Sequence, residues 1–359
     1  MSERPKGAEE VTAAWLNDVF HKNGLLQDNQ VTDVTWQDLG VGVGIMCQVA
    51  RISISYENPE TTAPASVIGK FPTKDPTNLG VATSLFFYPR EVAFYTQLAQ
   101  HSPVSTPGLV HAELDMSDHG FVLLIEDLVN ATAGDQVAGT TPEQSEAAMI
   151  AIGKLHGAWW DKVDGDEMAA LFEFANPEFC QAVQAGYEGF LEPALTQNSD
   201  CFSDYTKQVA RDFAPKSAKI LETFSRRRRT FCHGDYRADN LMFQDGSLHL
   251  LDWQISGKGN GLYDVAYLVC NSMPQDYRRS KEQDLLHLYH DTLCEMGVSG
   301  YSFEDCWEDY RGGVLLGLFV AIYTCGGMDL GNERGVELAR KIATRVDAAV
   351  SELQVGDLL

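Results

Sequence analysis

From residue 9 to residue 24, EEVTAAWLNDVFHKNG places Val11, Trp15, Val19 and Phe20 on one helical face, and Gly24 stands where such a helix would end. The periodicity then changes to two. VTDVTW leads into LGVGVGIM, and ARISISY sets Ile52, Ile54 and Tyr56 on alternate positions, the pattern of a half-buried strand. SVIGKF and the apolar run FVLLI predict two further strands, and PREVAFYTQLAQ between them predicts one helix, with Pro89 suited to its first turn. After EDL, residues 126–128, the pattern is mainly helical. TPEQSEAAMIAIGKLHGAWW opens on a capping box, Thr141 with Gln144, and has Pro142 at the first helical position. The clear strand signal of this half is LMF and LHLLDW on either side of an Asp-Gly turn. The chain therefore predicts an α+β, two-lobed fold. Residues 1–128 form a β-rich N-lobe with one key helix, and residues 129–359 a mainly helical C-lobe carrying a hairpin.

The hairpin places chemistry. If Asp245 and Gly246 are its two turn residues, partners across the ladder have numbers that sum to 491, so Asn240 faces Leu251 and Asp252 lies diagonal to Asn240. Diagonal neighbours are about 7–8 Å apart at their backbones, near enough for an amide and a carboxylate to share one ion. Few, hard oxygen ligands suit Mg2+ when substrate phosphates complete its shell. Asp235 precedes Asn240 by five residues within HGDYRADN, the D-x-x-x-x-N spacing of a phosphoryl-transfer catalytic loop, with the Asp as base and the Asn on metal. Arg237 would offer positive charge to the transferring group, and Asp252 begins D-W-Q where kinases carry a metal-binding Asp.

Such a loop requires a strand lysine on the phosphates and a helix glutamate to orient it. Lys70 ends the strand SVIGK. Glu91 shares the apolar stripe of Phe94, Tyr95 and Leu98, and a carboxylate turned inward needs a cation. The phosphate-covering loop is less distinct: Gly40, Gly42 and Gly44 alternate, and either admit phosphates to the backbone or mark a tight hairpin. SGKGNG, residues 256–261, reads as an ordered loop near the site, and Asp264 as an anchor for the catalytic-loop backbone. His233 and His156 read as scaffold. Arg226, Arg227, Arg228 and Arg229 read as solvated, dipole-favoured cations.

The formal charge of −24 argues against nucleic-acid or anionic-membrane partners. Eight scattered cysteines without a C-x-x-C, together with the charged start MSERPKGAEE, lead us to expect a cytoplasmic protein without a zinc site. The charge-free stretch at residues 312–328 reads as a buried core helix, being shorter than the roughly 20 residues of a membrane span.

With HGDYRADN, LLDWQ, YDVAY, LIEDL and KLHGAWW in this order, the chain resembles the aminoglycoside phosphotransferase and choline kinase superfamily, near its ecdysteroid-kinase-like branch. The resemblance implies a bilobal protein-kinase-like fold, ATP with Mg2+, and transfer of the γ-phosphoryl group to a small-molecule hydroxyl. It implies Asp235 as base, Asn240 and Asp252 as metal ligands, Lys70 with Glu91 as the phosphate-positioning pair, and Glu126, Asp127 and Leu128 as an adenine-contacting linker. Trp159, Trp160, Phe172 and Phe174 favour a moderately apolar alcohol as acceptor. An aminoglycoside or choline-type acceptor is the alternative, and a pseudokinase-like binding protein without turnover a second. A protein kinase is disfavoured by H-G-D in place of H-R-D and by the lack of an A-P-E segment after Asp252.

Overall fold

The computed structural model describes residues 3–39, 46–118, 120–165, 168–169, 171–327 and 333–359. They fall into two compact units, Met1–His101 with Thr106–Asn130, and Ser102–Ser105 with Ala131–Leu359.

In the first unit, helix α1 (Ala13–Lys22) starts where the Thr12 side chain accepts from the Trp15 amide, and it buries Trp15, Leu16, Val19 and Phe20. Five antiparallel strands follow: β1 (Val31–Asp38), β2 (Cys47–Tyr56), β3 (Ser66–Pro72), β4 (Leu109–Asp115) and β5 (Gly120–Glu126). Their spatial order is β1-β2-β3-β5-β4. Six of the seven β5 residues are buried, which is why FVLLI reads as an unbroken apolar run rather than an alternation. Ile52, Val67, Phe71 and Leu124 from the sheet meet Trp15, Leu16 and Phe20 of α1 in one core.

Two helices, not one, separate β3 from β4. Helix α2 (Pro76–Ser84) is capped by Asp75 but buries only Ala82, so no apolar stripe announces it. Helix α3 (Phe87–Ala93) begins two residues before Pro89 and widens into a π turn, Phe94–Leu98. Strand β4 is equally quiet in sequence, because at the sheet edge its side chains are half-buried or exposed.

The second unit holds two small sheets among eight helices of the described residues. Strand β6 (Thr132–Ala133) precedes α4 (Pro142–Trp159), whose Thr141/Gln144 capping box and Pro142 are as the sequence predicts. Then come α5 (Pro177–Gln197), α6 (Asp204–Phe213), α7 (Ser217–Ser225), β7 (Arg229–Cys232), β8 (Leu241–Gln244), β9 (Ser247–Leu250) and β10 (Gly257–Asn260). Helices α8 (Leu262–Ser272), α9 (Gln275–Glu295), α10 (Phe303–Gly327) and α11 (Glu333–Glu352) complete it. Helix α10 packs against α5, α8 and α11, the core position expected of its apolar stretch. SGKGNG is not a loop: its residues 257–260 form β10, buried and paired with β7. Three glycines in six residues disguised a strand whose small side chains let Phe174 lie on its backbone.

Strands β8 and β9 pair Leu241 with Leu250 and Gln244 with Ser247, so partner numbers sum to 491. Asp245 and Gly246 both have left-handed backbones, φ 50° and 79°, as a two-residue type I′ turn requires. A Cβ on Gly246 would meet nothing within 4 Å, so any penalty there is purely conformational. Gly246→Val should therefore cost about 1–2 kcal/mol, seen as a lower denaturant midpoint with an unchanged slope.

Candidate active site

The first unit supplies a buried ion pair. β3 carries Lys70 opposite Val49 and Leu123, and α3 turns Glu91 inward with its apolar face. Lys70 Nζ donates to Glu91 Oε1 at 2.6 Å, with the side chains 7% and 2% exposed. The next segment is held by its side chains. Asp127 accepts from Arg51 Nε at 2.6 Å and from the Ser66 hydroxyl at 2.6 Å, while Glu126 accepts from the Gly108 amide at 3.0 Å. Leu128 is buried. Gly42 and Gly44 lie outside the described residues.

The second unit carries the catalytic loop between β7 and β8. Gly234 has φ 83°, and a Cβ there would stand 2.3 Å from the Ile255 carbonyl oxygen, so the position excludes the arginine of an H-R-D loop. Asp264, fully buried at the start of α8, accepts from the backbone amides of His233 at 2.6 Å and Gly234 at 2.8 Å. The His156 ring, bonded through Nδ1 to the Tyr289 hydroxyl at 2.9 Å, meets Asp264 through Nε2 at 3.1 Å. The Asp235 amide donates to His233 Nδ1, which leaves Nε2 to carry the proton donated to the Leu251 carbonyl. Both histidines are scaffold, as their sequence context indicates.

Asp235 is 7% exposed. Arg237 Nε donates to both of its carboxylate oxygens, at 3.1 and 3.2 Å, and Asn240 Nδ2 donates to Oδ2 at 2.9 Å and to the Asp235 carbonyl at 2.8 Å. Burial raises the carboxyl pKa, but the Arg237 guanidinium, with the nearby Tyr267 hydroxyl, outweighs it and holds the group below its ordinary value. With Asn240 Nδ2 turned onto Asp235, its amide oxygen is the atom available to a metal. The Asn240 carbonyl accepts from the Leu251 amide at 2.9 Å, which carries the β8–β9 pairing beyond the strand ends and puts Asp252 one residue past the partner of Asn240. Asp252 itself has φ 64° and accepts from Gln254 Nε2 at 3.2 Å. An amide oxygen and a carboxylate on one hairpin end match the small, hard donor set of Mg2+.

The second unit thus joins Asp235, Arg237 and Asn240 by hydrogen bonds, with Asp252 following at the end of the same hairpin, and the first brings Lys70 to Glu91. Arg237 is turned toward the base itself: its Nη1 also donates to Asp239 at 2.9 Å and to Gln136 Oε1 at 3.2 Å. Gln136, Asp239 and Tyr267 are contacts of this centre that sequence reasoning missed. Gln136 lies about a hundred residues upstream without a motif, whereas Tyr267 stands one helical turn after Tyr263 in YDVAYL.

The four arginines are ion-paired rather than merely solvated. Arg226 meets Glu222 at 3.1 Å, Arg227 meets Asp309 at 3.2 Å, Arg228 meets Asp305 at 3.9 Å, and Arg229 meets Asp164 at 2.5 Å. Asp164 belongs to the acidic segment at residues 161–168, and its charge is answered there.

An apolar cavity of about 120 Å³ lies wholly within the second unit, walled by Phe174, Phe179, Leu221, Phe224, Leu316 and Phe319 and bounded by Gly234, Ile255, Asn260 and Tyr263. Of the aromatic residues the sequence offered as pocket lining, Phe174 alone belongs to the cavity. Trp160 packs on Tyr301, Trp159 edge-on to Phe231, and Phe172 against Phe174 and Phe179. The other walls read in sequence as core positions of α5, α7 and α10, which an apolar cavity lining cannot be told from.

The family model described as ecdysteroid kinase-like matches residues 42–297, more than half of the chain. The chain belongs to the ecdysteroid kinase-like family. A comparison of its sequence with curated proteins finds no match. Among solved structures, a choline kinase from Cryptosporidium parvum Iowa II superposes on this family member with a TM-score of 0.57 at 12% identity, covering 96% of this chain and 97% of that one. Choline kinase LicA from Streptococcus pneumoniae gives 0.53 at 18% identity, over 94% and 99%. Amicoumacin kinase hAmiN, solved in complex with AMP-PNP, Ca2+ and Ami, gives 0.50 at 14% identity, over 92% of each chain. This ecdysteroid kinase-like chain therefore shares their mixed α/β fold, with its antiparallel sheet in the N-terminal part.

Glu91→Ala would take the carboxylate away from the buried Lys70 ammonium, at a cost of roughly 3–5 kcal/mol. The double variant Lys70→Met/Glu91→Leu should recover most of that in urea denaturation, because it removes both charges from the interior.

Proposed function

We propose that this chain is an ATP- and Mg2+-dependent small-molecule kinase that transfers the γ-phosphoryl group to the hydroxyl of a moderately apolar alcohol. The observation that carries the reading is the placement of Asp235, Asn240 and Asp252 by one catalytic loop and one hairpin of set register. In the reaction, the acceptor oxygen forms its bond to the γ-phosphorus as the bond to the β-phosphate oxygen breaks. The hydroxyl proton passes to the Asp235 carboxylate. Asn240 and Arg237 fix the direction of that carboxylate, and its lowered pKa keeps it ionised at neutral pH. Asn240 Oδ1 and Asp252 would hold Mg2+, which when bound neutralises charge on the phosphates. In this reading Lys70, oriented by Glu91, is the phosphate-positioning cation, and the backbone at residues 126–128 is the adenine contact. The AMP-PNP complex of hAmiN, a kinase of the same fold, accords with nucleotide use. The apolar walls beside Gly234 favour an apolar acceptor over a polycation, and the acidic segment that would suit a polycation has Asp164 engaged by Arg229.

Asp235→Asn keeps shape but removes the proton acceptor. In an ATP-consumption screen over sterols, terpenoid alcohols, macrolides, aminoglycosides and amino alcohols, turnover should fall by about a hundred- to ten-thousand-fold, while calorimetry shows Mg-ATP affinity nearly unchanged. Near-normal turnover would remove Asp235 from the role. Arg237→Met takes away the main group opposing burial at Asp235. The carboxyl pKa should then rise, and the acid limb of the pH–rate profile should move to higher pH. An unmoved limb would separate Arg237 from the tuning of the base.

A further inference from the structure

The cavity beside Gly234 is small for the compounds that the family's description suggests. A cavity of roughly 150 Å³ lined by Leu, Ile and Phe holds one benzene ring. The 120 Å³ here, with a lining of the same kind, admits one five- or six-membered ring or a short branched alkyl group. A fused four-ring nucleus needs several such volumes. The lining also has a direction. Four elements supply apolar side chains: the segment before α5, α5 itself, α7 and α10. Its side toward the base is marked by Gly234, the residue before Asp235, and the polar groups of the lining are Asn260 at the end of β10, Tyr263 in the first turn of α8 and Ser225 at the end of α7. The Tyr263 ring lies edge-on to Tyr267 at 5.9 Å, and the Tyr267 hydroxyl lies near enough to Asp235 to help lower its carboxyl pKa. The apolar bowl is thus one aromatic contact removed from the base.

We infer that this cavity seats the apolar group of the acceptor alcohol and restricts the buried part to a single ring or its branched-chain equivalent, with the hydroxyl directed past Tyr263 toward Asp235. The inference rests on the kinase reading for the fate of that hydroxyl, but not for its binding. The substrate class it names is a monocyclic or short branched alcohol. A steroid nucleus has no room within these walls.

Binding without nucleotide tests it. Benzyl alcohol, cyclohexylmethanol, 3-methylbutanol and a detergent-solubilised sterol are titrated into the full chain and followed by saturation-transfer NMR. The three small alcohols should bind and the sterol should not. Val183→Phe, which extends a ring into the cavity from α5, should weaken the small alcohols by about tenfold or more. Leu316→Ala enlarges the cavity and should let a two-ring alcohol such as 2-naphthalenemethanol gain on benzyl alcohol. That second variant keeps the test decisive should Val183→Phe fail to fold. Small-alcohol binding without any phosphorylation would sink the kinase reading and leave the pocket assignment standing. Sterol binding unaffected by either cavity variant, or no small-alcohol binding at millimolar concentration, would overturn the pocket assignment.

Discussion

The catalytic loop hangs on one buried carboxylate. Asp264 takes two backbone N–H donors and the His156 ring, so a fully buried charge is compensated on every side that the loop approaches. Removing any partner would leave part of that charge unanswered in a low-dielectric interior, which is why the arrangement resists displacement. Through His156 and Tyr289 the same carboxylate is tied to α4 and α9, and it stands in the first turn of α8. Helix α8 presents Tyr263 from the same turn and Tyr267 from the next. One helix therefore sets the anchor of the loop, a hydroxyl near the base and a wall of the apolar cavity.

Charge elsewhere follows the same economy. The chain carries 27 basic against 51 acidic side chains, and the described arginines are largely engaged in pairs. Arg237 shows the effect at close range. Burial works against its cation, yet Asp235 and Asp239 raise its pKa above the ordinary value. Base and arginine thus stabilise each other's ionised forms in a place where burial disfavours both charges.

What was legible in the sequence was whatever local rules decide. The Asp-Gly turn determines backbone twist, hence register, hence the relation of Asn240 to Asp252. Glu91 was legible because a carboxylate inside an apolar stripe needs a cation, and Lys70 supplies it. The elements that escaped lack a pattern of their own: α2 buries a single side chain, β4 is an edge, and β10 hides in glycines. Gln136 escaped for another reason. Its contact with Arg237 spans 101 residues and no periodicity records it. The cavity walls escaped because Leu221, Phe224, Leu316 and Phe319 obey core patterning in full, and a void differs from a filled core only in three dimensions.

The two-residue turn also limits how the gene can lengthen or shorten here. A single codon inserted or deleted between Asn240 and Asp252 would shift one strand against the other by one residue. The hydrogen bond from the Leu251 amide to the Asn240 carbonyl would then lose its register, and Asp252 would move about 3.3 Å along the strand from Asn240. Paired changes, one in each strand, keep that register. Descendants of this gene should therefore vary the hairpin's length only by matched codons in the two strands, while solvent-facing connections such as the one between α9 and α10 are held to no such rule.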